Sequence, residues 1–155
     1  MQQEKGLVTS AEFRDVIRQM VGKPLTDQQI DDAWNSFLVD IPTYKLDLLL
    51  KLRGKYVVYL LSNTNDIHWK WSCENVFPYR GFQVEDYFEK IYLSFEMKMV
   101  KPDTEIFETV LADANIDPKE TFFIDDSEAN CLAAQALGIS TYTPQANENW
   151  SHIFN

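Results

Sequence analysis

The chain is short of cysteine, histidine, glycine and positive charge, and each shortage narrows what it can be. Its two cysteines, Cys73 and Cys131, stand far apart and form no C-x-x-C pair. They read as reduced thiols of a cytoplasmic protein, not as a disulfide framework. Its two histidines, His68 and His152, are too few and too separated for a zinc site. Five glycines in 155 residues leave no G-x-G-x-x-G after any apolar run, which argues against a dinucleotide-binding fold. Fourteen Lys and Arg face 24 Asp and Glu, a formal charge of −10. Nucleic acid and anionic membranes are therefore not expected partners, since both are recognised by clustered Lys and Arg. No apolar run approaches the roughly 18 residues that cross a bilayer. The opening Met1-Gln2-Gln3-Glu4-Lys5 leads into no apolar stretch of the kind a secretory signal carries.

What is present suffices for a buried core: 45% hydrophobic and 14% aromatic residues, in a length suited to one domain, or one domain with a small appendage. No repeat or low-complexity tract occurs. Thr9-Ser10-Ala11-Glu12 fits a capping box, and Phe13, Val16, Ile17 and Met20 then recur at helical spacing up to Gly22-Lys23-Pro24. Thr26-Asp27-Gln28-Gln29 is a second capping box, followed by the stripe Ile30, Ala33, Trp34, Phe37 and Leu38. Two short helices of this kind resemble half of a helical bundle and need a surface to cover their stripes. A third helix is expected from Thr43 to Arg53, stopped by Gly54. Beyond it the texture changes. Tyr56–Leu61 is a continuous β-branched and aromatic run, as expected of a strand buried on both faces. A helix from Asp66 to Val76 follows, then a loop from Phe77 to Asp86 and a strand at Ile91–Ser94. Next come a helix with Pro102 at its first position and Ile106, Phe107, Val110 and Leu111 on its apolar face, a strand at Thr121–Ile124, a helix over Glu128–Leu137 closed by Gly138, and a last strand at Ile139–Tyr142. Such alternation implies an α/β fold, a parallel sheet with helices on both faces.

In open α/β sheets, ligands bind beyond the carboxyl ends of the strands. The polar residues there are Ser62 and Asn63 after the first run, Lys98, Lys101 and Pro102 one loop after the second, and Asp125 and Asp126 after the third. Each alone has a plainer reading: a turn serine, a solvated lysine, an N-capping acid pair. A hydroxyl, an ammonium and a carboxylate pair at three consecutive strand ends suit phosphate chemistry. Adjacent carboxylates bind Mg²⁺, which keeps several waters, while an ammonium and a hydroxyl hold phosphate oxygens. A phosphoacceptor receiver domain uses similar groups in another order, with the acids first and the lysine last.

The motifs themselves carry a resemblance. Tyr59-Leu60-Leu61-Ser62-Asn63-Thr64, Lys101-Pro102-Asp103 with Ile106-Phe107, and Phe122-Phe123-Ile124-Asp125-Asp126-Ser127-Glu128-Ala129-Asn130 resemble the second, third and fourth motifs of the haloacid dehalogenase (HAD) superfamily. The similarity runs from about Lys45 to Tyr142 and continues through Ala133-Ala134, Leu137, Gly138 and Ile139. It implies a HAD-like Rossmannoid α/β core over residues 44–155, with residues 1–43 similar to part of a helical cap. By the resemblance, Ser62 and Asn63 bind the phosphoryl group of a small phosphorylated metabolite, and Lys101 offsets negative charge, with Lys98 the weaker candidate. Asp126 would contact Mg²⁺ directly, and Asp125 through water or a hydrogen bond.

One departure matters. Members of that family begin with an apolar strand ending in a nucleophilic Asp, and here Asp15, Asp27, Asp31, Asp32, Asp40 and Asp47 all fall in expected helices or a loop. Without that carboxylate no aspartyl intermediate forms. The resulting expectations are an N-terminally truncated HAD-like hydrolase lacking its central first strand, weak Mg²⁺ binding and no phosphatase activity by the chain alone. The gap in the sheet would be closed by direct pairing of Tyr56–Leu61 with Thr121–Ile124, or by a swapped segment from a second copy; self-association through an exposed sheet edge or the cap helices is a further expectation. The alternative reading is a non-catalytic HAD-like pseudo-enzyme that binds protein. His68 is read as a packed or surface residue and Cys73 as no nucleophile. Trp34 and Phe37 are read as cap-core residues, and Trp150 and Phe154 as docking on the sheet end.

Overall fold

The computed structural model describes residues 2–154. It is an α/β protein whose described residues form two compact units, Met1–Lys98 and Met99–Asn155. The expected boundary between residues 43 and 44 falls inside the first. No helix among the described residues is long and apolar enough to cross a membrane.

In the first unit, α1 (Ser10–Val21) starts at the expected capping box. Thr9 accepts the Glu12 N–H, Glu12 takes the Thr9 N–H, and Gly22 closes the helix with φ +68°. The second box, Thr26 with Gln29, opens α2 (Asp27–Asn35). A bidentate Arg14–Asp31 pair at 2.8 and 2.7 Å joins the two helices, and Phe13 lies 4.8 Å from Trp34, ring centre to ring centre. Their stripes are largely uncovered: Val16, Met20, Val21 and Phe37 are exposed, and only Ile30 of the apolar residues in α1 and α2 is buried. Helix α3 (Thr43–Arg53) has the bounds its sequence predicts, with Leu46, Leu48 and Leu52 buried.

Strand β1 is Tyr59–Ser62, three residues later in its start than the apolar run suggests, because Tyr56 and Val57 lie outside the ladder and exposed. Helix α4 (Asp66–Asn75) follows. The segment expected as a loop contains a short helix, α5 (Val84–Tyr87), with the Gln83 N–H bonded to the Asp86 carboxylate. It forms because Val84 and Tyr87, three apart, both reach the core of Leu46, Phe77 and Phe88. Fully buried Tyr87 donates its hydroxyl to the Phe77 carbonyl at 3.0 Å. Strand β2 (Lys90–Leu93) pairs in parallel with β1, from Tyr59 opposite Lys90 to Ser62 opposite Leu93. Ser94, expected to end the strand, instead starts α6 (Ser94–Met97).

In the second unit, α7 (Thr104–Ala114) is capped by Asp103, so Pro102 sits before the cap and not at the first helical position; the Lys101–Pro102 peptide is cis. Ile106 and Phe107 are buried. Strands β3 (Phe122–Ile124) and β4 (Ser140–Tyr142) pair in parallel, with α8 (Glu128–Ala136) between them in sequence. Phe154, in a closing 3₁₀ turn (Trp150–Phe154), lies edge-on to Phe122 at 6.2 Å.

Among the described residues the ladders of named strands are β1 with β2 and β3 with β4, and the expected direct pairing of Tyr56–Leu61 with Thr121–Ile124 is not one of them. The physical reason lies in burial. All four residues of β1 are half-buried and Phe122 is exposed, so these strands are not sealed on both faces.

Candidate functional site

Within the first unit, the β1 ladder ends at Ser62, and the chain turns through Asn63 and Thr64 into the cap of α4. Asn65 is that cap: its Oδ1 accepts the His68 N–H at 3.0 Å, and the residue is buried. The Asn65 amide nitrogen therefore faces His68 Nδ1, at 3.0 Å, and donates to it. It follows that the proton of the neutral imidazole sits on Nε2, which points at the Trp34 carbonyl at 3.2 Å. The ring stacks on Trp34 and meets the edge of Phe37. Burial pushes the His68 pKa below its usual value, against smaller upward pulls from the Trp34 carbonyl and Glu4. His68 is thus a packed histidine with both ring nitrogens partnered. Ser10 of α1 ties that helix to α4 as well, donating to Asp66 at 3.0 Å. Ser62 and Thr64 face a cavity of about 240 Å³ whose walls include Leu38, Val39, Trp69 and Phe77. Burial raises the Cys73 pKa, so that thiol is no ready nucleophile.

Within the second unit, β3 ends at Asp125. Its Oδ2 meets Lys101 Nζ at 2.6 Å, and both side chains are nearly sealed, 7% and 8% exposed. Its Oδ1 accepts the Ser127 N–H and the Asn130 side-chain amide, both at 2.9 Å. The Asp125 N–H continues the ladder to the Tyr142 carbonyl at 3.2 Å, and the Cys131 thiol approaches the Asp125 carbonyl at 3.4 Å. The Lys101 ammonium also lies over the Phe123 ring, 5.5 Å from its centre. A charge pair this buried survives only where the remaining lone pairs are satisfied, and Ser127 and Asn130 do that for the carboxylate. Asp126 is exposed. Lys98 is exposed too, and caps α6 in a left-handed conformation, φ +58°.

Lys101 and Asp125, placed 24 residues apart, are therefore brought into contact, while Asp126 faces water beside them. No group of three or more His, Cys, Asp or Glu is gathered for a metal among the described residues. Two adjacent carboxylates, one engaged and one exposed, suit a hard cation that keeps most of its own waters. Sequence reasoning gave no role to Ser94 or Asn130, whose contacts span 30 and five residues; the place of Asn130 in the motif that begins at Phe122 was the one visible signal for the latter.

One pair of parallel strands thus leads into a hydroxyl-bearing turn, and the other into Asp125 paired with Lys101 beside exposed Asp126. Residues 79–143 match the family of haloacid dehalogenase-like hydrolases. Over 147 residues the chain is 37% identical to a D-ribitol-5-phosphate phosphatase of Bacteroides thetaiotaomicron, covering 95% of this chain and 71% of that protein. It is 77% identical to a HAD family enzyme of the same species, crystallised with magnesium and inorganic phosphate, with a TM-score of 0.98 over 99% of this chain and 78% of that one. A HAD-like family hydrolase from Porphyromonas gingivalis superposes with a TM-score of 0.91 at 38% identity, covering 99% and 75%. The chain belongs to the haloacid dehalogenase-like hydrolases.

Proposed function

We propose that this chain is the greater part of a Mg²⁺-dependent phosphatase for small phosphorylated metabolites, with a polyol phosphate such as D-ribitol 5-phosphate as the substrate class. The observation that carries the reading is the sealed Lys101–Asp125 pair with exposed Asp126 at the end of β3, in a chain 77% identical to an enzyme crystallised with magnesium and phosphate. The Ser62 hydroxyl and Asn63 hold phosphoryl oxygens. Lys101, oriented by Asp125, offsets the negative charge of a phosphoryl group. Asp126 would supply the direct carboxylate ligand to Mg²⁺, and Asp125 would act through water or a hydrogen bond. When bound, Mg²⁺ neutralises phosphate charge and draws electron density from the phosphorus.

These residues do not include the attacking carboxylate. Asp15 lies in α1, Asp27, Asp31 and Asp32 in α2, and Asp47 in α3, so none ends a strand. The 155 residues alone therefore bind phosphate and Mg²⁺ weakly and turn nothing over, and their uncovered helix stripes favour self-association.

The test is titration calorimetry of inorganic phosphate with and without Mg²⁺, beside an assay of D-ribitol 5-phosphate hydrolysis. Mg²⁺-dependent phosphate binding that is lost in Lys101→Ala and Asp126→Asn, without turnover, is expected. Binding indifferent to both substitutions overturns the site, and hydrolysis by the pure chain overturns the missing nucleophile. Full-length protein that binds phosphate yet never hydrolyses it would favour the pseudo-enzyme.

A further inference from the structure

We infer that Ser94 is a positioning residue for the phosphoryl-binding turn, an inference that rests on the roles just proposed for Ser62 and Asn63. The backbone ladder between β1 and β2 stops at Ser62 opposite Leu93. One residue beyond β2, at the start of α6, the Ser94 side chain takes over. Its Oγ accepts the Thr64 N–H at 3.0 Å and donates its own proton to the Thr64 carbonyl at 3.0 Å. A single hydroxyl thus satisfies both backbone groups of a residue that has left the sheet. The Ser94 side chain that makes both bonds is completely buried.

The turn is thereby fixed at three points. Ser62 is held by the ladder, Thr64 by Ser94, and Asn65 by its cap on His68. Asn63 is the one residue between the ladder and the clamp. Ser62 and Asn63 are therefore presented from a preset backbone, and an incoming phosphoryl group meets donors that need not be ordered first. Alanine would leave the Thr64 amide and carbonyl without this partner and free the turn to shift, while Ser62 and Asn63 themselves stay unchanged.

The test compares the unaltered chain with Ser94→Ala, Ser62→Ala and, as a control for general loss of stability, Leu48→Ala in the buried face of α3. Two quantities are read: the Thr64 amide hydrogen-exchange rate, and the affinity for inorganic phosphate with Mg²⁺ by calorimetry. Ser94→Ala should speed Thr64 exchange and weaken phosphate binding about ten-fold, the scale of one buried hydrogen bond lost. Leu48→Ala should leave phosphate affinity unchanged. Faster Thr64 exchange with unaltered affinity overturns the positioning role and leaves the phosphoryl reading standing. Equal weakening by Ser94→Ala and Leu48→Ala reduces Ser94 to a structural residue and overturns it as well. An unaltered chain that binds no phosphate, or Ser62→Ala that binds as well as the parent, overturns the phosphoryl reading itself and the inference with it.

Discussion

Replacing Asp125 by Asn and Lys101 by Met, singly and together, measures how strongly the pair at the end of β3 is held. The two side chains meet at 2.6 Å and are 7% and 8% exposed, so little water screens either charge. Asp125→Asn keeps the volume but puts neutral amide groups against the buried ammonium, with an expected cost of about 3–5 kcal/mol. Lys101→Met leaves a buried carboxylate that still accepts from Ser127 and Asn130. Those two donors should limit the loss to about 2–3 kcal/mol. With both charges gone, neither penalty applies in full, and the double variant should cost no more than the worse single one. The cycle then gives a coupling of about 2–3 kcal/mol. Urea unfolding followed by far-UV circular dichroism supplies the four free energies. Additive losses, with coupling below about 0.5 kcal/mol, would refute the claim that the pair is mutually stabilised.

His68 should make stability depend on pH. Its pKa in the fold lies below the ordinary value near 6.5, because burial disfavours the imidazolium, so the unfolded chain binds the proton first. The contribution is complete above that ordinary value and is lost as pH falls through the lower, folded one. Protonation would also set a ring N–H against the Asn65 amide. The penalty of His68→Gln should therefore be larger at pH 7.5 than at pH 5.5; an equal penalty at both would count against the assigned tautomer. Gly6 has φ +61°, and a Cβ there would stand 2.0 Å from the Phe95 carbonyl oxygen. Gly6→Ala should lower stability by more than about 1 kcal/mol, and a variant as stable as its parent in the same urea assay would rule out that close approach.

What could be read in advance was what is local. Thr9 with Glu12 and Thr26 with Gln29 announce helix starts because each box closes within four residues, and Thr43–Arg53 needs only its leucines and Gly54. Strand limits were less legible. Tyr56 and Val57 have the side chains of a strand, but which residues join a ladder depends on where Lys90–Leu93 runs. Pro102 suits the first position of a helix, yet Asp103 takes the cap and moves the start to Thr104. At the site, residue types at strand ends suggested phosphate chemistry. Spacing could not say that Lys101 would choose Asp125 over Asp126, or that Ser94 would reach back 30 residues to Thr64. Such contacts are properties of the folded packing and leave no periodic trace in the chain.

The apolar side chains left uncovered on α1, just after α2, just before β1 and on β3 have a practical consequence at the bench. Met20, Phe37, Val57 and Phe122 face outward on a molecule carrying ten excess negative charges, so two copies approaching each other are repelled before those patches touch. That repulsion reaches only about 8 Å at physiological ionic strength and fades as the pH nears 4.6, the isoelectric value of the sequence. Concentrated stocks should therefore stay clear in dilute, mildly alkaline buffer and turn turbid on acidification or salting.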